Sequence, residues 1–89
     1  GTPVRASLSG RVVKIDYDGI YGRYIILAHP EGYQTWYAHL DSVDVTRNQY
    51  VEQGQSIATV GNTGYSTGPH LHFSIFQRGR PKNPMDFLQ

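Results

Sequence analysis

The chain has no cysteine, which excludes disulfides and any thiolate-bound metal. Its longest apolar runs are four or five residues, far short of the ~20 that a membrane-crossing helix needs. Neither sign of charge prevails: eight Lys and Arg stand against seven Asp and Glu, for a net charge of +1. No block of like charge occurs, so no basic patch is available to hold nucleic acid. Helical periodicity is also nearly lacking. With 89 residues, there is material for one modest core and not for two. The first residues, Gly1-Thr2-Pro3-Val4, read as the lead-in to a strand rather than as a leader, as if the sequence cut into a larger protein.

What is present is β chemistry. Val, Ile, Thr, Tyr, Phe and Trp recur in short runs separated by Gly, Asn, Asp and Pro, which predicts an all-β single domain with a twisted antiparallel sheet and long loops around a groove. One strand is expected over 11–17, with Val13, Ile15 and Tyr17 opposite Val12, Lys14 and Asp16. Asp18-Gly19 opens a turn. A second strand, 24–29, is apolar on both faces and so expected to be buried on both. After the turn at Pro30-Glu31-Gly32, a strand over 33–40 completes a hairpin. It sets Tyr33, Thr35, Tyr37 and His39 against Gln34, Trp36, Ala38 and Leu40. Val43-Asp44-Val45 suggests a short strand, and 55–60 a longer one. A loop fills 61–69, followed by a strand over 70–77. Trp36, Leu71, Phe73 and Ile75 are expected in the core, and a closing turn from Asn83-Pro84 is expected to anchor Met85, Phe87 and Leu88.

Four histidines carry the chemical interest. His70 and His72 are two apart on one strand, so both imidazoles project from one face. Such a pair suits a metal or proton-transfer site; it equally suits the polar face of a half-exposed strand. His39 is a third candidate, with a satisfied strand-end histidine as the plainer reading. His29, before Pro30, is read as structural. Asp16, Asp18, Asp41, Asp44 and Asp86 all sit in or beside turns, where Asp bonds locally, and none is spaced to join His72. Ser66 and Thr67 lack the Gly-x-Ser-x-Gly setting of a nucleophile.

Together, Tyr37-Ala38-His39-Leu40 and the later string Ser66-Thr67-Gly68-Pro69-His70-Leu71-His72-Phe73 resemble the lysostaphin-type (LytM-type) zinc endopeptidases. Gly1-Thr2-Pro3-Val4, Ser9-Gly10-Arg11-Val12-Val13, the segment 21–29, Val51-Glu52-Gln53-Gly54-Gln55 and Asn83-Pro84 match further landmarks in order. The resemblance implies hydrolysis of peptide cross-links in bacterial peptidoglycan, at the cell envelope or outside the cell. It implies zinc as cofactor, with His72 a ligand, and His39 and His70 as histidines that orient water and stabilise the tetrahedral intermediate. The family's other two ligands, a His-x-x-x-Asp pair, belong upstream of the segment that opens this sequence. The 89 residues alone are therefore expected to be inactive and to leave a sheet edge open to a partner chain or a second copy. Two rivals stand beside this reading. One is a non-catalytic relative that regulates or scaffolds cell-wall hydrolases. The other is a carrier module of the biotinyl or lipoyl kind, whose hairpin-tip lysine is not matched by Lys14 or Lys82.

Overall fold

The computed structural model describes residues 1–61 and 72–83, with the backbone alone at position 72. Among these residues, eight strands make one antiparallel, curled sheet: β1 (Pro3–Arg5), β2 (Gly10–Asp18), β3 (Gly22–Ala28), β4 (Tyr33–Val43), β5 (Tyr50–Val51), β6 (Ser56–Val60), β7 (His72–Gln77) and β8 (Arg80–Lys82). Their order is β1-β6-β4-β3-β2-β5, with β7 on β4 and β8 on β7. The expected all-β architecture is the one observed. The expected loop over 61–69 lies outside the described residues apart from Gly61, and so do Leu71 and the closing turn at 84–89.

β4 organises the sheet. One of its edges pairs with β3. Its other edge pairs with β7 along Tyr33–Ala38 and then with β6 along Leu40–Val43. The short strand suggested at 43–45 is thus partly the end of β4. The changeover falls at His39, where β4 carries an extra residue. Arg23 pairs with Leu40 and Ile25 with Tyr37, so Tyr24 alone faces both Ala38 and His39. An inserted residue bends a strand and shifts its alternation, which lets one strand serve two sheet directions.

Alternation therefore fails on both β4 and β2, where the ladders shift register. Leu40, expected opposite Tyr37, joins it in the main core with Ile25, Leu27, Val12 and Ile57. β2 has a similar insertion at Val13, between the pairs Val12–Leu27 and Lys14–Ile26. Val12 is consequently buried and Ile15 packs on the core, while Val13 is exposed. Trp36 needs a different correction. It is in register with Ile26 and Ser74, whereas Tyr37 is in register with Ile25 and Phe73. Neighbours across a ladder share a face, so Trp36 lies on the side away from Phe73 and Ile75, half-buried against a second cluster of Tyr24, Ile26 and Ala38. Ile75 is buried as expected, while Phe73 is half-buried at the margin of the main core.

Among the described residues, buried side-chain polar groups are matched. Tyr37, 1% exposed, accepts the Ser7 N–H at 3.0 Å and shares a second 3.0 Å bond with the Ser7 hydroxyl. His29 links Ser9 C=O and the Thr35 hydroxyl, each at 2.7 Å. A carbonyl only accepts, so Nδ1 carries the proton, and in the neutral ring Nε2 receives the Thr35 hydrogen. Gly10 packs under that ring, where a Cβ would meet the Ala28 carbonyl and lie 2.5 Å from His29 Nδ1.

Tyr37→Phe keeps the ring and leaves Ser7 without its partner, so it should cost about 1–3 kcal/mol in denaturant unfolding. Gly61→Ala should cost a similar ~1–3 kcal/mol, because its Cβ would fall 2.5 Å from Asp41 N and 2.6 Å from Asp41 Cα. An unchanged unfolding midpoint for Gly61→Ala would mean that the end of β6 is not seated on β4 as described.

Candidate active site

His39 is the best defined of the candidate residues. It is 5% exposed and holds φ at 59°, a left-handed conformation uncommon for a side-chain-bearing residue. Glycine is the usual occupant of such a place in a bulge. The conformation is held from two sides. The His39 N–H donates to Tyr21 C=O at 2.8 Å, and its C=O accepts the Gly61 N–H at 3.1 Å. Tyr21 is itself fixed, because Asp18 Oδ1 accepts the N–H groups of Ile20 at 2.9 Å and Tyr21 at 2.6 Å. A turn at the end of β2 thereby clamps the backbone of a buried histidine two strands away. Costly backbone geometry of this kind concentrates at functional positions.

The same point on β4 receives both ends of the segment that carries the histidine pair. β6 leaves through Gly61, bonded to the His39 carbonyl. β7 enters at position 72, in register with Ala38, the residue before His39. The backbone thus brings positions 39 and 72 onto adjacent strands, one step apart in register. His70 and the side chain of His72 lie outside the described residues. His39 is not at a strand end, as its sequence position suggested, but inside β4. His29 stands apart, occupied with Ser9 and Thr35, in keeping with its structural reading.

The sheet face that carries Ala38 is lined by aromatic rings. Tyr24 and Trp36 stack with planes 8° apart and centroids 6.1 Å apart. Tyr21 meets Trp36 edge-on at 6.1 Å, and Phe76 lies 5.3 Å from Trp36. Offset and edge-on contacts are the favoured aromatic geometries, so this face is a rigid floor beside the bulge.

Sequence reasoning missed Asp18, Tyr21 and Gly61 as supports of His39. Asp18 was legible as a turn residue, and its reach to Tyr21 follows from ordinary Asx-turn chemistry. Nothing local links that turn to β4. Among the described residues no group of three His, Asp or Glu side chains could hold a metal ion. The described donors do not by themselves fit zinc; a site would need His72 together with ligands from outside these residues.

The sequence profile of Peptidase family M23 matches residues 1–84. The chain is 45% identical over 85 residues to the peptidoglycan DD-endopeptidase ShyA of Vibrio cholerae, covering 96% of this chain and 20% of that protein. It spans about one fifth of the length of such curated relatives. Among solved structures, a zinc-containing peptidase from Vibrio cholerae superposes with a TM-score of 0.92 at 41% identity, over 96% of this chain and 26% of that one. The catalytic domain of lysostaphin from Staphylococcus simulans superposes with a TM-score of 0.90 at 40% identity, over 99% and 71% of the two chains. With its profile matched nearly end to end and its fold shared with these peptidases, the chain belongs to Peptidase family M23.

Proposed function

We propose that this chain is the part of a zinc-dependent peptidoglycan endopeptidase that carries the proton-handling histidines and one metal ligand, acting in the bacterial cell envelope or outside the cell. The observation that carries the proposal is the left-handed, buried His39 at the point where β4 changes partners. A fold spends strain on a histidine when its imidazole must be aimed. Relatives named as peptidoglycan endopeptidases support the substrate class, and a zinc-containing neighbour supports the metal.

In this reading His72 contributes an imidazole to zinc, and the remaining ligands come from residues upstream of Gly1. Zinc, when bound in such peptidases, polarises the scissile carbonyl and makes water a stronger acid. His39 and His70 do the rest. Their imidazoles orient the attacking water, take its proton and pass it to the departing amine. A protonated imidazole beside the tetrahedral intermediate also offsets its developing negative charge. The clamp from Tyr21 and Gly61 holds His39 in place, so little reorganisation is needed during the reaction. The aromatic side chains of Trp36 and Phe76 give an extended peptide an apolar surface on the sheet face that carries Ala38. Loss of ligands in a regulatory relative would leave no chemical reason to retain His39, His70 and His72 together, so the enzyme reading is preferred to the scaffold.

In a chain that also carries the upstream His-x-x-x-Asp segment, His72→Ala should abolish stoichiometric zinc. His39→Gly, which suits the left-handed backbone better than alanine does, and His70→Ala should keep the metal and lower turnover by about 10²–10⁴-fold. Metal analysis and release of peptide fragments from purified peptidoglycan measure the two effects. Equal zinc loss in the His70 and His72 variants would make both of them ligands and overturn the division of roles. The 89 residues alone should bind zinc below one equivalent and leave peptidoglycan intact. A 10.0 kDa chain that is both zinc-loaded and active would overturn the ligand assignment.

A further inference from the structure

Among the described residues, β2 is covered on its outer side only at its beginning. β5 pairs with Gly10 and Arg11, and Asn48 and Gln49 bond to Val12. From Val13 to Asp18 no strand adds to this edge among the described residues. The Tyr17 N–H is taken by the carboxylate of its neighbour Asp16, at 2.8 Å, so it does not point into the β2–β3 ladder. Amides alternate in direction along a strand, so Ile15 also turns its N–H and C=O outward.

We propose that this edge is a self-pairing surface, on which a second copy of the chain adds its own β2 antiparallel about a two-fold axis at Ile15. The residues Val13-Lys14-Ile15-Asp16-Tyr17 are complementary to themselves in that register. Lys14 falls opposite Asp16 of the second copy, and Asp16 opposite its Lys14. Both side chains belong to one face of the sheet, since Lys14 is in register with Ile26 and Asp16 with Tyr24. Val13 and Tyr17, 37% and 58% exposed, fall opposite each other at the ends of the overlap. Cross-strand pairs of opposite charge and of aromatic with β-branched residues are the pairs that stabilise antiparallel ladders.

The surroundings fit the same occupant. A cleft of about 200 Å³ opens along this edge, lined by Val13, Lys14, Ile15, Asp16 and Arg47. The second strand's Asp16 would meet Lys14 there, with Arg47 adding a second positive charge nearby. Lys14 sits 5.8 Å from the centre of the Tyr24 ring, which holds its stem against the sheet rather than across the edge. The insertion at Val13 ends the straight run, so the overlap is short and the affinity modest, on the order of 10–100 µM. The two-fold uses the same edge of both copies and so closes on itself, giving a dimer rather than a fibre. This edge lies two strands from β4, and the proposal does not depend on the reading of the histidine site.

Sedimentation equilibrium of the chain from about 5 µM to about 1 mM tests it, a span that brackets the expected affinity. A monomer–dimer equilibrium is expected. Lys14→Asp and Asp16→Lys should each weaken it by about tenfold or more, since like charges then face each other in both symmetric pairs. The chain with both substitutions should return to within about threefold of the original. An equal mixture of the two single variants should form a heterodimer, because each then supplies what the other lacks. Circular dichroism of every variant checks that the sheet is intact, and the doubly substituted chain keeps the test decisive if one single variant misfolds. A chain that stays monomeric over the whole range overturns the proposal. So does a dimer that neither reversal weakens, or assembly beyond two copies.

Discussion

Tyr24 faces two residues of β4 where a regular ladder would offer one, and much of the molecule is arranged around that mismatch. The added residue turns β4 far enough for its first half to hold β7 and its second half to hold β6. It returns Leu40 to the core face that Tyr37 occupies. It also forces His39 into the left-handed region. None of these features is independent of the others. Removing the insertion would restore regular alternation, carry Leu40 out of the core and cost a buried leucine its contacts, a loss of about 2–5 kcal/mol on the scale of leucine truncations.

Support for this point comes from distant parts of the chain. The Asp18 turn reaches it through Tyr21, and β6 reaches it through Gly61. The closeness of Gly61 to Asp41 leaves no room for a Cβ, so the approach of the two strands itself selects the glycine. On the opposite side of the sheet the hydrogen bonds of Tyr37 and His29 tie the segment before β2 to β4 and to the end of β3. The sheet is thus braced at the bulge by backbone bonds and elsewhere by side chains, in both cases from segments remote in sequence.

That remoteness explains what could and could not be read from the sequence. Strands and turns were legible because their signals are local: the apolar run at 25–28, the Asp18-Gly19 turn and the Gly32 hairpin all lie within a few residues of the structure they specify. The Tyr-Ala-His-Leu and His-Leu-His strings carried the family by resemblance. The insertions at Val13 and His39 were not legible, since one added residue leaves no mark in composition or hydrophobicity. Each inverted a face assignment downstream, at Ile15 and at Leu40. Trp36 was misplaced for another reason: a large aromatic suits either face of a sheet, and only its register with Ile26 and Ser74 decides the side. The role of His29 was read correctly as structural, but its partner Ser9 lies 20 positions away and no local pattern points to it.

The pairing of β1 with β6 has a consequence for how the protein comes into being. Pro3 is in register with Thr59, so β1 joins the sheet through a strand that is synthesised well after it. At ~5–20 residues per second the first strand waits roughly three to ten seconds for its neighbour to be made. During that wait the β2–β3–β4 meander can already assemble, because each of its turns is short and local. Closure of the fold is then the late capture of β1 by β6, made easier because the assembled meander shortens the loop that has to close.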